Sequence, residues 1–269
     1  MASINCQLAL LTLKYILHPG IARVVQTASD SRLMQIIARI AKHCKGYDVV
    51  GYAASEGCVD MLQCIADDNP GKNKPWHDLV CLSAAGNGHL NVVRWARARG
   101  FPWDCITVGN AALGGHLRVL RWIRAKGGPI NTRECFDAMA GGRLEVLQWA
   151  RGYGCPWGGG CGIAARNGHM AVLQWAWEHG CPRDHRTFAD AVSGGHMHVI
   201  QWLHANGCPW SELSCADAVI RGPVELLQWL RDHGCSWDIH TCENAVTWKN
   251  MAVLKWLRKN GCPCGGKLH

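Results

Sequence analysis

The sequence predicts an all-α solenoid of stacked helix–turn–helix repeats, and three regularities of the chain predict it. A pattern of the form G-H-L-x-V-L-x-W-L-x-x-x-G-C-P-W recurs about every 27 residues from Gly88 to Pro263. Within every copy a tryptophan and a second glycine keep fixed distances from the start of the pattern. A unit of this size cannot bury an apolar face alone, so successive units are expected to stack.

The phase of the pattern is kept through seven copies. We call the residue after the first glycine of each copy the marker residue, and the markers are His89, His116, Arg143, His169, His196, Pro223 and Asn250. Six positions after them come the ladder tryptophans, which are Trp95, Trp122, Trp149, Trp175, Trp202, Trp229 and Trp256. Eleven positions after them come Gly100, Gly127, Gly154, Gly180, Gly207, Gly234 and Gly261.

Two weaker copies begin at Arg32 and Cys58, upstream of the seven clear ones. They bring the predicted array to about nine units over residues 23–264. Because the end of a repeat array needs a different outer face, residues 1–22 are predicted to form an N-terminal capping helix. Residues 265–269 are left as a C-terminal tail.

Each unit is predicted to contain two short helices. The first helix begins at a residue type that caps helix N-termini, and these residues are Asp104, Asn131, Gly158, Asp184, Ser211 and Asp238. Its small pair, such as Ala111-Ala112, lets neighbouring helices approach closely. The second helix carries apolar residues at helical spacing, for example Leu117, Val119, Leu120 and Ile123. The second glycine predicts a left-handed end to that helix.

These residues resemble the ankyrin repeat family over about residues 23–264. The resemblance is carried by Ala84-Ala85 with Asn87-Gly88-His89-Leu90, by Ala164-Ala165-Arg166-Asn167-Gly168-His169, and by Gly194-Gly195-His196. About six residues of the usual 33-residue repeat are missing where that family carries its β-hairpin finger. The resemblance therefore implies an ankyrin-like solenoid without the fingers, similar to the short, Trp- and Cys-rich repeats of giant DNA viruses and protists.

The resemblance implies a non-enzymatic scaffold for protein–protein interaction. A substrate adaptor for a ubiquitin ligase is an alternative by resemblance only, because residues 1–22 are too short for the F-box that some similar proteins carry. The sequence has no Gly-Lys-Ser/Thr phosphate loop, no G-x-S-x-G elbow and no H-E-x-x-H pair. It therefore predicts neither an enzyme nor a bound cofactor.

The sixteen cysteines are predicted to be reduced thiols that pack as small apolar groups. Equivalent cysteines recur once per repeat, as in Cys155 and Cys181, and one repeat rise exceeds the roughly 7 Å between Cα atoms that a disulfide tolerates. A second series, including Cys161 and Cys242, meets the same objection. The sequence has no C-x-x-C pair, so no zinc site is predicted. Reduced thiols predict a cytoplasmic, reducing location.

Two sets of residues are the candidates for partner binding. Two positions after the ladder tryptophans stand arginines that stacking would align as a basic stripe, namely Arg97, Arg124, Arg151, Arg231 and Arg258. A second set of tryptophans lies in the loops between units, namely Trp103, Trp157, Trp210 and Trp237. With a formal net charge of +8, the stripe predicts an acidic protein partner. Solvated arginines whose stems cover apolar surface are the alternative reading.

Other partners and sites are disfavoured by the same patterns. A nucleic-acid binder remains an alternative, although the chain lacks long clusters of lysine and arginine. The ladder tryptophans are predicted to fill core positions rather than to form an aromatic binding stripe. The longest apolar run, Leu8 to Leu13, is too short to cross a membrane. We therefore predict a monomer without a membrane anchor.

Overall fold

A computed structural model describes residues 48–68, 76–128, 133–158, 161–211, 213–237 and 239–263. The predicted capping helix, the repeat that begins at Arg32 and the C-terminal tail lie outside these ranges. The chain divides into two compact units, residues 1–137 and 138–269. The division falls within the helix Glu134–Ala140, and each unit is described by itself below.

In the first unit, helices alternate with short turns. They are α1 Asp48–Ser55, α2 Val59–Asp68, α3 Trp76–Gly86, α4 Leu90–Ala98, α5 Cys105–Gly114 and α6 Leu117–Ala125, followed by α7 Glu134–Ala140. The first helices of successive repeats pack against one another in the order α1, α3, α5, and the second helices in the order α2, α4, α6. This arrangement of two adjoining rows is the predicted stack of helix–turn–helix repeats.

The second unit repeats the pattern. Its helices are α8 Leu144–Gly152, α9 Gly162–Arg166, α10 Met170–Glu178, α11 His185–Gly194, α12 Met197–Ala205, α13 Leu213–Arg221, α14 Val224–Asp232, α15 Ile239–Thr247 and α16 Met251–Lys259. The first helices α9, α11, α13 and α15 form one row of contacts, while α8 contacts α10 and α14 contacts α16. No strand occurs in the described ranges, and the all-α prediction is confirmed.

Small residues and capping groups form the first helices as the sequence predicts. Ala111 and Ala112 are fully buried, as are their equivalents in the neighbouring repeats. The Asp104 carboxylate accepts a hydrogen bond from the Thr107 amide at 2.8 Å. Asp184 and Thr187 form a reciprocal capping box. The Gly158 cap is wrong: α9 begins at Gly162 with Cys161 at its N-cap, and Gly158 itself takes φ of 64°, in the left-handed region, whereas an N-cap residue has extended backbone.

The left-handed glycines end the second helices as predicted. All seven glycines eleven positions after the markers have φ between 68° and 92°. Two described turns between the helices of a repeat depart from this pattern. Lys249 takes φ of 56° where other repeats place glycine, and Gly222, before the marker Pro223, does not take positive φ. None of the helices in the described ranges has the length and apolar character needed to span a bilayer.

The ladder tryptophans are only partly buried, so their assignment to the core is wrong. In α6 the fully buried residues are Val119, Leu120 and Ile123, three, four and seven positions after the marker. At about 100° per residue, a side chain six positions after the marker lies about 100° from the centre of that buried stripe. Trp122 therefore lies on the flank of the helix, half-buried. The core is made by aliphatic side chains.

Marker histidines join successive repeats. His116 Nε2 donates to the Gly86 carbonyl at 2.9 Å, and its ring lies against Gly88, where a Cβ atom would be 2.5 Å from Nδ1. The same contact recurs for His89 on Ser55 and for His169 on Ala140, at 2.7 and 3.0 Å. We call this contact the histidine bridge. Through it, these three marker histidines hydrogen-bond the backbone of the preceding repeat at its turn.

We expect His116→Ala to lower the free energy of unfolding by about 1–3 kcal/mol, because the Gly86 carbonyl loses its donor in a partly buried place. His116→Asn should recover part of the loss, since Asn250 Nδ2 donates to the Val219 carbonyl in the last repeat. Denaturant unfolding measures both variants. His185→Ala, at an exposed histidine outside any bridge, is the control. Equal stability of the two alanine variants would contradict the bridge.

The described cysteines include both thiols and disulfide-bonded residues. Nine described cysteines are thiols, which confirms the prediction for them. Cys235 and Cys242 are disulfide-bonded, so the prediction is wrong there. The separation of one repeat rise applies between cysteines of the same series. Cysteines of different series lie closer together: Cys242 Sγ lies 3.4 Å from Cys262 Sγ.

Burial also fixes which thiols react. Burial raises the pKa of Cys81 to about 12, and its side chain is inaccessible to solvent, whereas Cys105 is exposed. Because the thiolate is the nucleophile, we expect iodoacetamide at pH 8 to modify Cys105 in the folded protein and to leave Cys81 intact. Peptide mass spectrometry measures the two rates. Denaturant should equalise them, and equal rates in the native protein would refute the burial of Cys81.

Candidate functional site

The candidate site is the junction between the second helix of one repeat and the second helix of the next. The position two residues after the ladder tryptophan lies on the opposite flank of the helix, so it faces the following repeat while the tryptophan faces the preceding one. Trp95 shows this direction, because its Nε1 donates to Gln63 Oε1 of the preceding repeat at 3.0 Å. Arginine of one repeat and tryptophan of the next therefore point toward a shared loop.

The loop tryptophan fills the space between them. The Arg97 guanidinium lies 4.2 Å from the ring centre of Trp103. Trp103 in turn meets Trp122, the ladder tryptophan of the next repeat, edge to face at 5.7 Å. We call such a set of one cation, one loop residue and the next ladder tryptophan a junction triad. A guanidinium over a tryptophan face contributes roughly 0.5–2 kcal/mol, depending on its desolvation.

The triad recurs in the second unit. Arg151 lies 4.2 Å from the ring centre of Trp157, which contacts Trp175 at 6.0 Å. Arg231 lies 4.0 Å from Trp237, which contacts Trp256 at 5.6 Å. The guanidinium groups of these arginines are also held by hydrogen bonds. Nη1 donates to the backbone carbonyl four residues further along the chain in Arg97, Arg151 and Arg231. Their side chains are half-buried.

One junction exchanges the two partners. Trp177 occupies the arginine position of its repeat, and Arg183 occupies the loop position that holds tryptophan elsewhere. The Arg183 guanidinium still lies 4.4 Å from the Trp177 ring, and Trp177 meets the next ladder tryptophan, Trp202, at 5.2 Å. The arginine stripe predicted from the sequence has no member in this repeat. The signal that could have revealed the exchange was Arg183, an arginine at the loop position where other repeats have tryptophan.

A further junction replaces the guanidinium with imidazole. His204 takes the arginine position and meets both Trp210 in the loop and Trp229 in the next helix, at 5.8 and 5.3 Å. Of the predicted binding residues, all four loop tryptophans are thus half-buried members of junction triads. Among the stripe arginines, Arg97, Arg151 and Arg231 belong to triads, Arg124 is half-buried and Arg258 is exposed.

Clusters of metal-binding side chains and open clefts are two further kinds of candidate site. In the ranges given above, no three His, Cys, Asp or Glu side chains come close enough to hold a metal ion. Two open clefts occur on the first-helix side. One of about 230 Å³ is lined by Ile106, Leu113 and Arg133 among others, and one of about 570 Å³ is lined by residues around Gly195.

No family model and no curated protein sequence matches the chain. Among solved structures, the chain is similar to the human ASB11 ankyrin repeat domain, with 13% sequence identity and a TM-score of 0.39 over 80% of this chain and 99% of that one. A likeness of this size does not decide the architecture. The helix pairs, their two rows of contacts and their glycine turns do, and each unit is an ankyrin-like stack.

The exchanged junction predicts the behaviour of a designed one. Arg151→Trp and Trp157→Arg should each lower the free energy of unfolding by about 1–2 kcal/mol, because each breaks the cation–ring contact. The double variant should recover most of the loss, because it copies the Trp177–Arg183 order. Denaturant unfolding of the four proteins gives the coupling energy. Losses that simply add in the double variant would show that the contact contributes nothing.

Proposed function

We propose that the chain is a non-enzymatic scaffold that binds a protein partner through the surface of its junction triads. The observation that carries the proposal is the recurrence of one cation and two aromatic rings, half-exposed, at successive junctions. Tryptophan and arginine are the residue types most enriched at the energetic centres of protein interfaces. A periodic surface of this kind offers the same chemistry at intervals of one repeat.

The rigidity of the triads supports the same function. Each stripe arginine in a triad is held by a ring on one side and a backbone carbonyl on the other. A partner therefore does not bear the conformational entropy of ordering these long side chains, which is a large cost of association. The remaining accessible surface is cationic and aromatic, which favours a partner that presents carboxylates beside apolar groups.

The charge pattern gives less support to the nucleic-acid alternative. Binding to a phosphate backbone is carried by many neighbouring lysine and arginine side chains, whereas the triads supply one cation at a junction and the chain lacks long clusters of lysine and arginine. Affinity for nucleic acid that falls steeply with salt would favour that alternative instead. The ubiquitin-ligase adaptor stays a prediction of the family resemblance, and co-purification of ligase subunits is its test.

The test is affinity capture from the native cell with a charge-reversed stripe. We expect Arg97→Glu, Arg124→Glu and Arg151→Glu together to reduce recovery of the bound protein at least tenfold, because two triads lose their cations and the partner meets like charge at all three positions. Recovery is measured by quantitative mass spectrometry against the unmodified chain.

A control variant carries the same change of charge elsewhere. Arg118, Arg121 and Lys126 are exposed and outside the triads, in the same unit as Arg97 and Arg124. Their simultaneous change to glutamate should leave recovery within about twofold, since exposed charges far from an interface act weakly through screened fields. If both triple variants have the same melting temperature and recover equal amounts of the bound protein, the stripe is not the binding surface.

A further inference from the structure

The junction between the repeats that begin at His196 and Pro223 has no histidine bridge. Four positive-φ glycines have the next repeat's histidine ring against them, namely Gly57, Gly88, Gly142 and Gly168, where a Cβ atom would lie 2.5–2.7 Å from Nδ1. The equivalent Gly195 also has positive φ, of 72°, but the same position there is open, with nothing within 4 Å. The place over Gly195, which a histidine ring fills at those four glycines, has no side chain in it.

The cause lies in the next marker residue. Proline stands at position 223, with ψ of 163°, whereas the marker histidines have ψ between 67° and 86°. The Pro223 ring is exposed and does not cover Gly195. In the next repeat Asn250 supplies a donor again, through Nδ2 to the Val219 carbonyl at 3.1 Å. Arg143 is a further marker without an imidazole, so the missing ring is not unique to Pro223. Among Gly57, Gly88, Gly142, Gly168 and Gly195, however, only Gly195 has open space over it.

A cleft opens where the ring is missing. It has a volume of about 570 Å³ and is lined by Arg166, Ser193, Gly194, Gly195, Asp217 and Ile220. Ser193 stands three positions before its marker, as do Ser55, Gly86 and Ala140, whose carbonyls accept the bridge hydrogen bond from histidine. The cleft therefore presents the two elements that hold an imidazole elsewhere in this chain, a glycine face and a helix-end carbonyl.

A carboxylate lies on the same wall. Asp217 is half-buried in the cleft, while the neighbouring Asp190 is paired with the Arg166 guanidinium. Burial, and after it the charge of Asp190, raises the pKa of Asp217. A ligand that carries an N–H donor and positive charge would relieve this unfavourable environment, and a protonated imidazole carries both.

We propose that this cleft is a binding site for a histidine side chain of a partner polypeptide. The ring would lie over Gly195, one ring N–H would donate to the Ser193 carbonyl, and Asp217 would favour the protonated form. The inference deepens the scaffold function proposed above by naming one side chain of the partner. The chain's own histidine bridges show how this fold holds an imidazole.

The probe is N-acetyl-histidine methylamide, added to the ¹⁵N-labelled full chain at pH 7. We expect saturable chemical-shift changes at the amides of Ser193, Gly194 and Gly195, with half-saturation at about millimolar concentration for a ligand of this size. N-acetyl-alanine methylamide, which lacks the ring, should cause none. N-acetyl-lysine methylamide with a free ε-amine should bind at least tenfold more weakly, because it has no ring to cover the glycine.

Two variants fill the cleft in different ways. Ser193→Tyr places a ring on the cleft wall from an exposed position, and Pro223→His restores the marker histidine. Each should weaken the probe at least tenfold while the melting temperature stays at or above that of the unmodified chain. Absence of shifts in the unmodified chain, equal binding of the lysine probe, or unchanged binding in Ser193→Tyr would each overturn the site.

The probe separates this inference from the scaffold function. Probe binding requires no cellular partner. If the arginine variants no longer recover the bound protein but still bind the probe, the cleft remains a histidine site. In the capture experiment, Ser193→Tyr should reduce recovery of the partner, whereas Ser83→Tyr, at a half-buried serine in the first unit, should not. Equal recovery with both serine variants would show that the partner does not use the cleft.

Discussion

The structure depends on one constraint, namely that no repeat buries its own apolar surface. Each second helix has only about nine residues, and its buried stripe of three aliphatic side chains needs the neighbouring helices to cover it. The stability of each repeat is therefore set at its junctions. Three kinds of contact meet there: the close approach of small first-helix residues, the histidine bridge and the junction triad. The first is apolar, and the other two direct the helices toward a single register.

The polar contacts tolerate substitution as long as their chemistry is kept. Asparagine replaces histidine in the last repeat and still donates to a carbonyl. The Trp177–Arg183 junction reverses the order of ring and cation, and His204 substitutes an imidazole for a guanidinium. A sequence comparison counts each of these as a loss of the pattern. In three dimensions the contact survives, because two flexible side chains reach the same space from either side of a loop.

The sequence was sufficient to predict whatever repeats along the chain. The helix pairs, the glycine turns and the Asp104 and Asp184 caps follow from residues that recur in phase, and each has a local physical cause. The position of the ladder tryptophans did not follow, because both a core and a flank position recur every 27 residues. The contact between Cys242 and Cys262 and the exchanged junction also escaped prediction. Both join residues from different positions of the repeat, which a comparison of equivalent positions does not examine.

Regular repeats supply a rigid frame, and departures from regularity supply individual places on it. A triad that recurs at several junctions gives a partner the same contact several times, so it contributes affinity but does not determine at which junction the partner binds. The junction at Pro223 differs from its neighbours, because its glycine is uncovered and its cleft contains Asp217. A side chain that fits only there would fix the register of a partner that the arginine and tryptophan surface holds in general. Affinity and register would then be carried by different residues of the same stack.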